Sequence, residues 1–209
     1  MIRPYEPKDL KQSLRIFREI GWMDGKDSDK DIFEAFTDGG NSLVAELNGE
    51  VEVFVVTRSG ACKYLDDDIP FSAVASVATS RVARQRGLAS KVTAQAIAES
   101  AAKGAAMSML GMFDQGYYEK FGFGNTVPCR ISTFDPVNLR VPRLTRSPKR
   151  LSKDDAKAMH DCRRLRKRFH GGCNLDGYGE TKATTIWQEH GFGLGFENDE
   201  GVLTHFMWI

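Results

Sequence analysis

Apolar and polar positions alternate with two different periods along this chain, and the change from one to the other marks its elements. Residues 2–5 read as a short strand. Pro7-Lys8-Asp9 then opens a helix in which Leu10, Leu14, Ile16, Phe17 and Ile20 recur near the helical period. Residues 27–36 read as a second helix, stopped by Gly39-Gly40. Two β-type runs follow at 42–47 and 51–57, joined by Asn48-Gly49, a pair that tolerates the positive φ of a tight hairpin. A third β run, 71–79, is rich in Val, Ala and Ser. An Ala-rich helix covers 87–103 and ends at Gly104, and 106–112 is apolar enough for a buried strand. A short helix at 117–121, closed by Gly122, and a strand at 128–134 complete the pattern. Strand, helices, three strands, helix, strand, helix, strand is the order of a mixed α/β domain with a mixed sheet, not of an alternating βα wind.

Beyond Asp135 the pattern restarts. Residues 136–147, with Pro136, Pro142 and short basic stretches, read as a linker. Residues 148–209 then echo the beginning. Arg3 precedes Asp9 by the same interval as Lys149 precedes Asp155, each Asp near a helix start. The Asn48-Gly49 hairpin is echoed by 194–197, a turn at Asn198-Asp199-Glu200-Gly201, and 202–208. The echo stops before any counterpart of 71–89. The expected organisation is therefore a complete domain at 1–135, a linker at 136–147 and a partial second copy at 148–209. The partial copy is expected to bury its strand edge against the first unit, another chain or further sequence, so a homo-oligomer is one possibility.

Composition narrows the class. The 209 residues carry 29 Lys+Arg against 28 Asp+Glu, which argues against a chain held to nucleic acid by bulk charge. The balance is uneven: residues 1–135 hold 16 basic and 19 acidic groups, while the remainder holds 13 and 9. No apolar run has the length of a membrane span, and the amino end lacks a signal-peptide pattern, so a cytoplasmic location without membrane attachment is expected. Cys62, Cys129, Cys162 and Cys173 form no close pair and read as reduced thiols. His160, Cys162, His170 and Cys173 cluster in sequence, but not at zinc-ligand spacing, so no metal is expected. The basic run 163–168 reads as the solvated face of a helix whose apolar stripe is Met159, Cys162, Leu165 and Phe169, which leaves no nucleic-acid partner.

The stretch with most chemistry runs from Val77 to Ser90. A β run leads into a basic, glycine-containing turn that opens a long helix, and a helix start offers unpaired N–H groups and the positive dipole end to a phosphate. An ordinary strand–turn–helix with solvated arginines has the same spacing. Arg84-x-x-Gly87-x-Ala89 after a strand resembles the Arg/Gln-x-x-Gly-x-Gly/Ala signature of the GNAT N-acetyltransferases, and Tyr118-Glu119-Lys120-Phe121-Gly122-Phe123 resembles that superfamily's Tyr-x-x-Phe-Gly-Phe/Tyr ending. The order of elements over 1–135 also matches. The partial repeat is similar to the Eis-like (enhanced intracellular survival) group, with the chain truncated inside its second GNAT unit.

That resemblance implies an acetyl-CoA-dependent N-acetyltransferase acting by direct transfer on a primary amine, either a small molecule or a lysine-type acceptor. It implies that Val77, Ala78 and Thr79 present backbone groups to the pantetheine amides. Arg84, Gln85, Arg86, Gly87, Leu88, Ala89 and Ser90 would form the pyrophosphate cradle, and Phe113 and Asp114 a cofactor-side contact where the family often has a small polar residue and an acid. Tyr118 aligns with the general acid that protonates the departing thiolate, a role suited to a phenol, which is protonated at neutral pH. Asp66, Asp67, Asp68, Asp114 and Glu119 are candidate bases, with none singled out. A non-catalytic acyl-CoA-binding or assembly module is the alternative reading.

Overall fold

The computed structural model describes residues 1–111, 115–126, 132–140, 146–188 and 190–209. Strand β1 (Ile2–Pro4) and a single 3-10 turn lead into helix α1 (Leu10–Glu19), followed by α2 (Asp29–Thr37). Strands β2 (Asn41–Leu47), β3 (Glu50–Tyr64) and β4 (Asp67–Thr79) form two successive antiparallel hairpins. The first turns at Asn48 and Gly49, both with positive φ, as that dipeptide predicts. The second turns at Leu65, φ +52°. It makes β3 and β4 much longer than the apolar pattern suggests, because their outer halves are polar and only their inner halves line a core. Helix α3 (Leu88–Ala102), strand β5 (Met107–Met109) and helix α4 (Gln115–Glu119) follow. The strand expected at 128–134 falls largely outside the described residues, and its described part, 132–134, is not a strand.

The sheet runs β1-β2-β3-β4-β5, antiparallel except for the parallel pair β4–β5. Its inner strands are buried on both faces, so β3 reads Val53-Phe54-Val55-Val56 without polar interruption. On one face Phe54 and Val56 pack against Ile16, Phe17 and Phe33 of α1 and α2, with phenyl rings at centroid distances of 5.2–5.7 Å. On the other face Leu43, Val53 and Val55 pack against Val92 and Ala96 of α3.

The remainder forms strand β6 (Lys149–Leu151), helix α5 (Ala156–Leu165), strand β7 (Cys173–Leu175), helix α6 (Gly179–Trp187) and strands β8 (Gly193–Glu197) and β9 (Leu203–Trp208). Strands β6, β8 and β9 make a separate three-stranded sheet over a small core of Leu151, Met159, Cys162 and Leu203. Strand β7 instead joins the first sheet. Along one edge of β3, β2 pairs with residues 50–57 and β7 with residues 60–62, so β7 occupies the edge that β2 leaves. Gly60 permits this, since a Cβ there would collide with the Asn174 carbonyl and lie 2.6 Å from Phe71. Helix α6 packs on α2, and its Ala183 belongs to the same core as Phe33.

The echo between the two halves has a physical counterpart. Arg3 grips Asp9 with both guanidinium ends, at 2.6 and 2.8 Å, and also reaches Glu46. Lys149 lies 3.6 Å from Asp155 and 2.9 Å from Glu197. Asp9 accepts the Glu6 N–H, as Asp155 accepts the Ser152 N–H. The strand register slips beside each glutamate, between Ala45 and Glu46 and between Phe196 and Glu197.

One helical expectation is corrected. The apolar stripe of α5 stops at Cys162: the helix ends at Leu165 and the backbone turns extended at Arg166, so Leu165 and Phe169 are exposed rather than packed.

Candidate active site

Strands β4 and β5 are in register only over Phe71–Ala73 and Met107–Met109. Past that point β4 continues for six residues, to Thr79, with no partner on its β5 side among the described residues. The two strands thus open a cleft, one wall of which is the β4 edge carrying Val77, Ala78 and Thr79. Those residues pair with Val55, Phe54 and Val53 on the other side, which holds their backbone rigid.

The chain leaves β4 through Ser80, makes one 3-10 turn (Arg81–Ala83) and enters α3. Gln85 and Gly87 both have positive φ, +61° and +70°, and Gly87 sits at the helix N-cap with open space where a Cβ would be. No side chain caps the helix. The first N–H groups of this 15-residue helix, those of Leu88, Ala89 and Ser90, therefore face outward without helical acceptors. Arg84, Gln85 and Arg86 are exposed around them, the Arg86 Nε donating to the Val82 carbonyl at 3.1 Å. An uncapped helix end with two left-handed residues and two arginines is chemically suited to a diphosphate. The Cβ-free approach at Gly87 leaves room for one. The buried Ser80 Oγ beside the turn has no hydrogen-bond partner among the described residues.

Helix α4 docks on this turn. Lys120 Nζ donates to Ser90 Oγ at 2.8 Å and lies 3.9 Å over the Tyr117 ring. Tyr118 is half-buried, edge-on to Tyr117 (4.9 Å) and to Phe123 (6.0 Å). Phe123 packs in the same cluster as Val77, Leu88 and Ala89. The structure thus brings together the cradle, the β4 edge and the Tyr118 helix. Phe113 and Asp114 lie outside the described residues. Of the candidate bases, Asp66, Asp67 and Asp68 sit at the far end of the β3–β4 hairpin, remote from Thr79, and Asp68 is engaged by Arg168 at 2.6 Å. Glu119 is exposed on α4.

The cleft opens on its other side into a cavity of about 660 Å³. Residues 1–111 contribute only uncharged side chains to it, among them Phe17, Trp22, Phe36, Val74 and Leu110. Its remaining wall comes from α5, β7 and α6, including His160, Arg163, Arg164, Glu180 and Trp187. Burial pushes the His160 imidazolium down, so the ring is held neutral. A larger and more open groove of about 980 Å³ touches neither β4 nor β5. The cavity wall is the part of the site that sequence reasoning missed. Arg163 and Arg164 belong to a run that reads as a solvated face, and both are indeed exposed, but the seating of α5 against the first unit puts them at the rim of this cavity.

The family model of the acetyltransferase (GNAT) domain matches residues 1–126. The chain belongs to the GNAT acetyltransferase family. A conserved protein from Enterococcus faecalis V583, a probable N-acyltransferase, has a similar structure at TM-score 0.74 and 16% identity. The match covers 100% of this chain and 54% of that one, so the chain spans about half the length of that protein. Glucosamine-6-phosphate N-acetyltransferase from Arabidopsis thaliana matches at TM-score 0.53 and 19% identity, over 65% of this chain and 98% of that one. An aminoglycoside 6′-N-acetyltransferase from Acinetobacter haemolyticus matches at 0.52 and 16%, over the same shares. No curated protein matches by sequence. For a GNAT enzyme the acetyl donor is acetyl-CoA, and the turn after β4 in this chain has the chemistry to receive its diphosphate. Among the described residues, no helix is long and apolar enough to cross a membrane, and no three His, Cys, Asp or Glu groups gather as metal ligands.

Proposed function

We propose that this GNAT domain transfers the acetyl group of acetyl-CoA directly to a primary amine at the mouth of the β4–β5 cleft. The observation that carries the reading is the parting of β4 from β5 just where β4 runs on into an uncapped helix start. The free β4 edge at Val77, Ala78 and Thr79 hydrogen-bonds the pantetheine amides as an added strand would. Arg84, Gln85 and Arg86, with the N–H groups following Gly87, hold the pyrophosphate. The acceptor nitrogen enters from the cavity opposite and attacks the thioester carbonyl carbon. The C–S bond breaks, the sulfur takes the proton of the Tyr118 phenol, and the amine loses its own proton to solvent.

Residues 148–209 are, on this reading, a second GNAT-like unit of the Eis-like arrangement, which supplies the acceptor-side wall. The paired ion clusters at Arg3 and Lys149 support it, as does the likeness to the Enterococcus faecalis protein over the whole of this chain.

The test is release of free thiol from acetyl-CoA with a panel of amines, beside calorimetric titration of acetyl-CoA alone. Absence of binding at millimolar acetyl-CoA sinks the donor assignment. Tyr118→Phe is expected to lower kcat about a hundredfold with little change in acetyl-CoA affinity. Full turnover by that variant removes Tyr118 as the acid.

A further inference from the structure

Building on the acetyl-transfer reading of this cleft, we infer that the acceptor is a primary amine that carries a carboxylate or phosphate of its own, and that polycationic amines are poor acceptors. The argument rests on where charge sits around the cavity. Among its described lining residues there is one carboxylate, Glu180, against two guanidiniums, Arg163 and Arg164. All three come from α5 and α6. The opposite wall, built from the first 111 residues, is uncharged.

A third guanidinium lies just behind the wall. Arg58 is 4% exposed, lies 5.0 Å from the Phe36 ring centroid, and makes no ion pair among the described residues. Among the described residues its guanidinium makes one long hydrogen bond, 3.4 Å from Nη2 to the Ala35 carbonyl, and its buried Nε has no partner. Gly179, at the start of α6, sits so close that a Cβ there would lie 3.0 Å from Nη1. The positive end of α6 and the Arg58 charge therefore add together. Two carboxylates act on Arg58 from a distance, Glu180 in the first turn of α6 and Asp38 after α2, and neither forms an ion pair with it among the described residues. Removed from water, an unpaired cation acts over a longer range than a surface one.

Arg163 forms no ion pair or hydrogen bond among the described residues and lines the same cavity. Arg164 is partly engaged, its Nη1 donating to the Asp176 carbonyl at 3.1 Å. An acceptor bearing several ammonium groups would meet two guanidiniums and a single carboxylate, with the buried Arg58 behind them. An amine with an anionic group can place that group on Arg163 and its apolar body on Phe17, Trp22 and Trp187. Its amino end is then left to reach the cleft between β4 and β5.

The experiment uses the full chain and matched probes: L-phenylalanine against 2-phenylethylamine, glucosamine 6-phosphate against glucosamine, and kanamycin as the polycation. Binding is read without acetyl-CoA, from the fluorescence of Trp22 and Trp187, and thiol release is measured separately. In at least one pair the anionic member is expected to bind about tenfold tighter or more, as a charge-assisted contact to a guanidinium supplies. Which pair responds tells carboxylate from phosphate. Kanamycin should bind weakest. Arg163→Glu, checked for folding by circular dichroism, should abolish or reverse the preference, and Arg163→Lys should retain most of it. Equal binding within both pairs, preference for kanamycin, or an unchanged preference in Arg163→Glu overturns the inference. A chain that fails to bind acetyl-CoA overturns the transfer reading instead, and the fluorescence titrations still decide the charge preference.

Discussion

Lys120 Nζ donates to Ser90 Oγ across 2.8 Å, tying the helix that carries Tyr118 to the first turn of α3. The bond crosses 30 residues of sequence and links the two motifs that carry the family resemblance. It also places a third cation beside the helix end that Arg84 and Arg86 already flank. Lys120→Met is expected to weaken acetyl-CoA binding about three- to tenfold, less at high salt, because the contact is exposed and screened. Calorimetry at two ionic strengths checks this, and an affinity indifferent to both mutation and salt contradicts it.

Gly87 adopts φ +70° at the α3 N-cap, with no neighbour near its missing Cβ. The constraint is therefore conformational rather than steric. Gly87→Ala should cost about 1–2 kcal/mol in the left-handed conformation, and Gly87→Val more, since its β-branch is stiffer there. Chemical denaturation gives the cost. Acetyl-CoA affinity should fall with it, as the turn relaxes away from the shape that offers its N–H groups.

Gly60 is limited by contact instead. A side chain there runs into the Asn174 carbonyl and Phe71, where β7 lies against β3. Gly60→Val is expected to destabilise the fold by about 1–3 kcal/mol through overpacking. It should also loosen β7, and with it the Cys173–Leu175 part of the cavity wall. A fall in Tm together with faster hydrogen exchange in β7 is the expected result. Unchanged protection of β7 would show that the strand is not held there by close approach.

Asp9 is buried, and the Arg3 guanidinium beside it holds its carboxyl below the usual carboxylate range. The unfolded chain therefore binds this proton at a higher pH than the folded one. The stabilisation is complete above the ordinary aspartate pKa and is lost as the pH falls through the depressed folded value, so the window lies below about pH 4. His160 adds an earlier step. Its folded pKa is lowered by burial, so stability declines as the pH falls below the ordinary histidine value near 6.5. Asp9→Asn should cost about 2–4 kcal/mol at neutral pH, leaving Arg3 without its main partner, and should remove the lower step. Asp155→Asn, at the corresponding place in residues 148–209 but only half-buried, should cost much less. Denaturation curves from pH 3 to 8 separate the two steps.

Much of the fold was legible because local chemistry and tertiary role agree. The helical spacing of Leu10, Ile16 and Phe17 places a face that the sheet buries, and Asn48-Gly49 turns where its φ preference requires. Arg84-x-x-Gly87-x-Ala89 leaves a helix end open, and the helix start is where the structure puts it. The α5 stripe misled because Leu165 and Phe169 have the right spacing for a helix that ends before they can pack.

The chain alone determined the mixed α/β order, the strand–turn–helix at Thr79–Ser90 and the short helix that carries Tyr118, since each depends on residues close together and on backbone preferences that travel with them. Tertiary structure decided how residues 148–209 are used. Periodicity cannot say that three residues, Cys173–Leu175, take over the edge of β3, or that Arg163, Glu180 and Trp187 close a cavity whose other wall comes from residues between Phe17 and Gly111. Those contacts depend on which surfaces meet when the two halves bury their apolar faces together, and no local preference encodes that meeting.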